Sequence, residues 1–149
     1  MHAKDDELVA ALSPGLEGEE LLAAAYVKVH TSLSAARYLS PLGNYLIARP
    51  AARSAAKKIT EETEFPLDAA MVFGITGDSL HVWRADPMLN QVTDHLGHIP
   101  LSKISGFAVK SGHAWQPFTI TLDDGHTIDL EGRGPVHKLE AEFRRIKGA

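Results

Sequence analysis

Residues 118–130 read FTITLDDGHTIDL, and this stretch decides the fold class. Apolar residues alternate with polar ones from Phe118 to Leu122 and again from Ile128 to Leu130. Alternation with a period of two is typical of a β-strand that has one buried face. The Asp-Asp-Gly sequence between the two runs favours the positive φ values of a tight turn. The stretch therefore predicts an antiparallel β-hairpin.

The same two-residue rhythm continues upstream of this hairpin. Residues 71–75 alternate, a Thr-Gly-Asp-Ser turn follows at 76–79, and residues 80–83 alternate again, which predicts a second hairpin. Further strands are predicted beside Pro100, since a proline suits a strand start or a sheet edge, and at 107–109. Most of the C-terminal two-thirds of the chain is therefore expected to be an antiparallel sheet.

The C-terminal sequence predicts one amphipathic helix. Four apolar residues form a single stripe at helical spacing: Val136, Leu139, Phe143 and Ile146. Gly134-Pro135 before them suits a helix entrance, because proline is tolerated in the first turn. A lone helix of this kind has to bury its stripe, and the open end of a curled sheet is the available apolar surface.

The N-terminal part is less regular. Asp5–Leu12 is expected to form a short helix. The leucines and alanines at 21–25 favour a helix, but the β-branched alternation at 26–31 predicts a strand there. Prolines and a glycine break the segment 34–60 into short pieces, of which Ala51–Ile59 is the firmest predicted helix.

Four stretches resemble the pleckstrin-homology superfold in its bacterial PH-like or GRAM-like form: 16–20, 74–83, 99–104 and 123–130. The resemblance covers residues 16–33 and 69–147. It implies an α+β, mainly β, antiparallel PH-like barrel or roll of about six to seven strands, capped by a C-terminal helix and carrying a helical insert after the first strand. The expected organisation is an N-terminal helical arm at 1–15 and a PH-like domain at 16–149, with the insert at 34–60. No basic cluster lies on the first hairpin, so lipid-headgroup specificity is not implied.

Length and composition suit one globular domain. The chain has 149 residues, of which 44% are hydrophobic and 23% charged, and it contains no cysteine, which excludes disulfides and thiolate chemistry. Its start is acidic and lacks the apolar core of a signal peptide, and no apolar run is long enough to span a bilayer. The expected location is cytoplasmic.

Charge is distributed unevenly along the sequence. Residues 1–20 carry a net charge of −5, residues 21–60 have no acidic residue and carry +6, and the rest carries −5. Such a basic island favours an anionic partner. The residues predicted to contact it are Arg37, Arg49, Arg53, Lys57 and Lys58. The competing interpretation is that they pair internally with Glu61, Glu62, Glu64 or the acidic N-terminus.

The functional prediction is a non-enzymatic binding or scaffolding module that contacts a protein partner or an anionic membrane surface. No catalytic residue, cofactor or metal is assigned, since nucleophile elbows and phosphate loops are missing from the sequence. Nucleic acid is disfavoured by the net charge of −4 and by the lack of interleaved aromatic residues. The sequence leaves a homo-oligomer open.

The alternative function is a small-ligand-binding or metal-binding barrel that uses histidines. The chain has eight histidines, and His95 and His98 have the H-x-x-H spacing of metal ligands. His113 or His126 would complete the site. Against this alternative, Gly97 predicts a loop between the two histidines, and surface histidines are the commoner outcome.

Two tryptophans, Trp83 and Trp115, are the remaining recognition candidates. Trp83 is out of phase with Leu80 and Val82 and is predicted to point away from the barrel core. The insert at 34–60 is expected to cover it, so packing or a subunit contact is favoured over ligand stacking.

Overall fold

The structure, a computed structural model, describes most of the chain. The described residues are 9, 12, 16, 20–29, 49–68, 70–86, 91–110, 115–133 and 136–148, and within these the side chains of 49–55, 86 and 91 are not described. Several predictions lie outside this part of the chain: the helix at Asp5–Leu12 apart from two of its residues, the first half of the insert with Arg37, His113, and the Gly134-Pro135 helix entrance.

The described residues form one antiparallel sheet of seven strands and two helices. The strands are β1 Ala23–Val29, β2 Ala70–Ile75, β3 Ser79–Asp86, β4 Gln91–Pro100, β5 Ile104–Val109, β6 Gln116–Leu122 and β7 Thr127–Gly132. Helix α1, Arg49–Thr63, follows β1, and helix α2, Val136–Lys147, follows the sheet. This arrangement confirms the α+β class, the antiparallel sheet, the helix after the first strand and the C-terminal helix.

The strand order is β4-β3-β2-β1-β7-β6-β5. The predicted closure into a barrel is not found in the described ranges, because β4 and β5 form the two ends of the sheet and do not pair with each other. The chain itself connects these edge strands through one 3₁₀ turn at Leu101–Lys103, whose first N–H donates to the carbonyl of Asp78 at 2.9 Å. Strands β4 and β5 are therefore consecutive in the chain, although no ladder of backbone hydrogen bonds connects them.

Both predicted hairpins are present. Between β2 and β3, the Thr76 N–H donates to the Ser79 carbonyl at 2.9 Å, and the Thr76 hydroxyl accepts the Ser79 N–H at 3.2 Å. Between β6 and β7, Gly125 has a φ of 94°, which is the left-handed conformation that the Asp-Asp-Gly sequence favours.

The prediction of a loop at His95–His98 is wrong, because these residues belong to edge strand β4. The pairing of β3 with β4 shifts register between Val82 and Trp83, which lets Gly97 lie inside the strand with a φ of 154°. An added Cβ on Gly97 would come within 3.3 Å of the Pro66 ring. The glycine therefore marks a bulge and a close packing contact, two uses that sequence alone does not separate from a turn.

Strand β1 includes the alanines that favour a helix. It pairs with β2 from Ala23 to Lys28 and with β7 from Val27 to Val29. Tertiary pairing outweighs helix propensity here, because small side chains fit a central strand that is covered on both faces.

The sequences of the two helices explain where the helices end and which side chains contact the core. Helix α1 includes Ala51–Ile59 and has Pro50 in its first turn, where the missing N–H costs nothing. The helix ends at Thr63, and Glu64 after it has a φ of 63°. The Thr60 hydroxyl accepts the Leu67 N–H at 3.0 Å. In α2 the predicted stripe packs on the core, and the Glu140 carboxylate accepts the Val109 N–H of edge strand β5 at 2.7 Å.

All five phenylalanines of the chain connect through the core between the sheet and the helices. The ring centroids are separated by 5.8 Å for Phe65 and Phe73, 6.2 Å for Phe73 and Phe118, 5.1 Å for Phe118 and Phe107, and 5.8 Å for Phe107 and Phe143. Offset and edge-on ring pairs at such distances add to the stabilisation from burial. The ladder runs from the segment after α1, across the sheet, to α2.

The opposite face of the sheet carries a second buried cluster. Leu16, Leu21, Ala24, Val72, Trp83 and Ala85 form it, with Val9 and Leu12 packed against it. The prediction that Trp83 points away from the main core is confirmed, but its cover comes from the N-terminal segment and not from the part of the insert that the structure describes. Leu21 lies two residues before β1 and belongs to this cluster.

Neither described helix combines the length and the apolar character that crossing a bilayer requires.

Gly74 is the point where this second cluster tolerates no side chain. A Cβ there would meet Leu21 Cδ1 at 2.6 Å and Trp83 Cζ3 at 2.8 Å. We expect Gly74→Ala to lower the free energy of unfolding by about 1–3 kcal/mol through overpacking, measured by urea denaturation. Gly77→Ala is the matched control, since nothing lies within 4 Å of a Cβ there, and it should change stability by less than about 0.5 kcal/mol. Equal losses in both variants would contradict the packing described here.

Candidate functional site

A cross-strand row of large side chains lies on the outer face of the sheet, defined here as the face opposite the phenylalanine ladder. The strand pairings align His95 on β4 with Trp83 on β3, Trp83 with Val72 on β2, and Val72 with Tyr26 on β1. Arg133 extends the row beyond β7, because its N–H donates to the Tyr26 carbonyl at 3.1 Å. The row thus crosses four strands and ends at Arg133, just after β7. Val9, Leu12 and Leu16 pack over its middle, while His95 and Arg133 at its ends are exposed.

The Arg133 end, which we call the cation–aromatic cluster, consists of Tyr26, Lys28, Trp115 and Arg133. The Arg133 guanidinium lies 5.3 Å from the Tyr26 ring centroid and 5.2 Å from that of Trp115. The Lys28 ammonium lies 4.3 Å from the Trp115 centroid. All four side chains share the outer face because β1 and β6 alternate and the chain leaves β7 at Arg133. Each contact is within the range in which a cation is attracted to an aromatic face.

Glu131 lies beneath the cluster and neutralises part of its charge. Its carboxylate is 3.6 Å from the Lys28 ammonium, and its side chain is only 4% exposed. The Lys28 ammonium, on a side chain that is 29% exposed, contacts the Glu131 carboxylate below it and the Trp115 ring beside it. The sequence analysis did not find the cluster because Trp115 and Arg133 lie far along the chain from Tyr26 and Lys28. The register of β1, β6 and β7 brings them together.

The other end of the row is a stack of three imidazoles. His81 is 4% exposed and lies between His95 and His98, with ring centroids 5.2 Å away on each side. His81 Nδ1 and His95 Nε2 are 3.0 Å apart, so one nitrogen donates a hydrogen bond and the other accepts it. The indole of Trp83 stacks on His81 at 5.8 Å and lies 5.3 Å from His95.

The sequence analysis brought His95 and His98 together but missed His81. The sequence does contain a pattern that could have identified His81, because His81 and Trp83 are two residues apart on a predicted strand and therefore share a face of the sheet. Among the described residues no three His, Asp or Glu side chains converge as metal ligands would. The His81 and His95 nitrogens aim at each other, which is the geometry of a shared proton and not of a shared metal.

His126, the other residue considered for that site, lies in the β6–β7 turn. Its Nδ1 is 2.9 Å from Asp124 Oδ1. The backbone N–H of His126 and then its side chain hold the pKa of Asp124 below its usual range. The contact between His126 and Asp124 therefore lies within the β6–β7 turn and stabilises it.

The predicted basic contact residues are not gathered into one described surface. Arg49 and Arg53 lie in the first half of α1, where side chains are not described, and Arg37 lies outside the described residues. Lys57 and Lys58 are exposed, opposite the buried Ala56. Glu61 and Glu62 are exposed one turn further along the same helix. The described half of α1 is therefore close to neutral on its solvent side.

Arg84 connects three segments of the chain. Its guanidinium donates to Asp68, which follows α1, at 2.6 Å and to Asp94 on β4 at 2.9 Å. The hydrogen bond to Asp68, with the charges of both carboxylates, raises the pKa of Arg84. The contact anchors the end of the insert and the edge strand to β3.

Comparison with known proteins adds no family to these observations. No protein-family model matches the chain, and no curated protein matches its sequence.

The Lys28→Met variant tests how much the ion pair between Lys28 and Glu131 stabilises the fold. Removing the ammonium takes a partner from the nearly buried Glu131 carboxylate, so we expect the free energy of unfolding to fall by about 1–3 kcal/mol, measured by urea denaturation. Adding Glu131→Gln to this variant should recover part of the loss, since no buried charge then remains. Lys57→Met, at an exposed lysine, is the control. A double variant no more stable than Lys28→Met would contradict the pairing.

Proposed function

We propose that this protein is a non-enzymatic binding or scaffolding module with a PH-like fold that contacts a protein partner through the cation–aromatic cluster. What supports the PH-like assignment is a seven-stranded antiparallel sheet followed by one docked helix, the arrangement that the sequence resemblance implies. A cytoplasmic location stays part of the proposal.

The observation that carries the proposal is the exposed Arg133 guanidinium held against two aromatic rings. Arginine, tryptophan and tyrosine are the residue types that dominate binding energy at protein interfaces. Contact with two rings also restricts the arginine before a partner arrives, which reduces the entropy lost on binding. The cluster therefore combines anchor residues with preorganisation.

Charge favours a protein partner over a membrane. Each basic residue near an anionic bilayer contributes about 1 kcal/mol. In the cluster, Lys28 is already paired with Glu131. On α1, Glu61 and Glu62 lie one turn after Lys57 and Lys58. Among the side chains that the structure describes, one or two uncompensated cations give too little energy for stable membrane binding. The basic residues of the insert remain a proposed secondary contact, with an anionic membrane as the alternative partner.

Quantitative affinity capture from cells that produce the protein tests the proposal. Arg133→Glu should reduce the recovery of the partner by about thirtyfold, the effect of losing an interface residue worth about 2 kcal/mol. Lys57→Glu/Lys58→Glu is the matched control, since it reverses charge on an exposed helix away from the cluster, and it should retain the partner. Circular dichroism checks that each variant folds.

Three outcomes would overturn the proposal. Retention of every partner by Arg133→Glu would remove the cluster from the interface. Binding to anionic but not neutral vesicles, lost in Lys57→Glu/Lys58→Glu, would place the function on the insert and the membrane. Self-association that Arg133→Glu abolishes, with no other protein captured, would make the partner a second copy of the chain.

A further inference from the structure

The histidine stack at the far end of the outer face is built around one hydrogen bond between two imidazoles. His81 Nδ1 and His95 Nε2 are 3.0 Å apart, and His81 is 4% exposed. A hydrogen bond between two ring nitrogens needs one proton between them, since one nitrogen has to offer its lone pair. If both rings are imidazolium, both facing nitrogens carry a proton and the contact becomes repulsive.

We propose that the His81–His95 contact is an acid-sensitive latch that holds edge strand β4 on β3. At neutral pH the pair shares one proton and the latch is closed. As pH falls, protonation of the second ring replaces the hydrogen bond by charge repulsion, and β4 loosens. The device is independent of the cation–aromatic cluster and operates whether or not a partner binds there.

Strand β4 is the element that such a change would release. It lies at the end of the sheet and pairs with β3 alone among the described strands, and that pairing shifts register twice, at Val82/Trp83 and at Arg84/Ala85. The His81–His95 contact lies beside the first shift, where the ladder is interrupted. Its loss therefore removes a cross-strand bond from the least regular part of the pairing.

The charged and titratable groups on the elements around the stack are few. Among the described residues they are His98 and Asp94 on β4, Arg84 and Asp86 on β3, Asp78 in the β2–β3 turn, Asp68 after α1 and Glu20 before β1. Arg84 is bonded to both Asp68 and Asp94, so these carboxylates already face a permanent cation. The ring centroid of His98 lies 5.2 Å from that of His81.

The sign of the pH dependence follows from the hydrogen bond between the two rings and from the burial of His81. An unfolded chain protonates both imidazoles as pH falls through about 6.5, whereas the folded pair resists the second proton. The unfolded or locally open state then binds more protons than the closed one, so acid favours opening. The latch is fully closed above about pH 7 and opens progressively below about pH 6.5.

Amide hydrogen exchange at pH 7.5 and pH 5.5, corrected for intrinsic rates, measures the latch directly. We expect protection in β4 to fall by about tenfold at the lower pH, because the open state takes up a proton that the closed pair excludes. Protection in the β6–β7 hairpin should not change. In a Trp115→Phe background, the fluorescence of Trp83 should change over the same pH range, because its ring lies 5.3 Å from His95.

His95→Gln is the decisive variant, since this exposed residue loses its titration while the strand remains intact. It should abolish the acid response of β4. His98→Gln, which removes a stacked ring but not the shared proton, should retain most of it, and His126→Gln at the distant turn should retain it fully. Unchanged β4 protection in the wild type, or an acid response that survives His95→Gln, would overturn the latch. Protection that depends on added divalent metal would reassign the histidines as ligands.

Discussion

The contact on which the rest of the structure depends is the phenylalanine ladder between the sheet and the helices. Phe65 anchors the segment after α1, Phe143 anchors α2, and three rings on β2, β5 and β6 connect them. A single sheet of seven strands has an apolar face that it cannot bury by itself. The ladder buries that face under two helices from distant parts of the sequence, and so brings the segment after α1 and the C-terminal helix onto one core.

Once that face is covered, the outer face becomes the place where other chemistry can be arranged. The N-terminal segment covers its middle over Gly74, Val72 and Trp83, which leaves two ends with different character. Cations lie against aromatic rings at one end, and imidazoles stack at the other. Both ends depend on the same pairing register, because a shift of one residue in any strand would send its contribution to the inner face.

Electrostatics within the domain is mostly local. Arg84 is held by two carboxylates, Lys28 by Glu131, and Arg144 and Arg145 by acidic residues one turn earlier on α2. These pairs use charge to connect neighbouring elements and leave little of it for a long-range field. Arg133 differs because it lies against rings, which orient it without cancelling its charge. This difference singles out its end of the outer face for recognition.

The sequence by itself determined the strand hairpins, their turns and the docking stripe of α2, because those features are written in neighbouring residues: period-two alternation, an Asp-Gly turn and helical spacing. It also predicted that Trp83 leaves the main core. It could not predict that the alanines of β1 form a strand, that Gly97 lies within β4, or that the sheet stays open. Those outcomes depend on pairing partners far along the chain.

The candidate site was the least predictable part for the same reason. His95 and His98 were visible as a motif, but His81 joins them only across the β3–β4 ladder. Tyr26 and Lys28 share a face of β1, but Trp115 just before β6 and Arg133 just after β7 join them only through the pairing of β1, β7 and β6. The local sequence pattern determines which side chains of a strand share one face of the sheet. The order and register of the strands decide which of these side chains contact each other, because backbone pairing and not sequence separation sets the distances between strands.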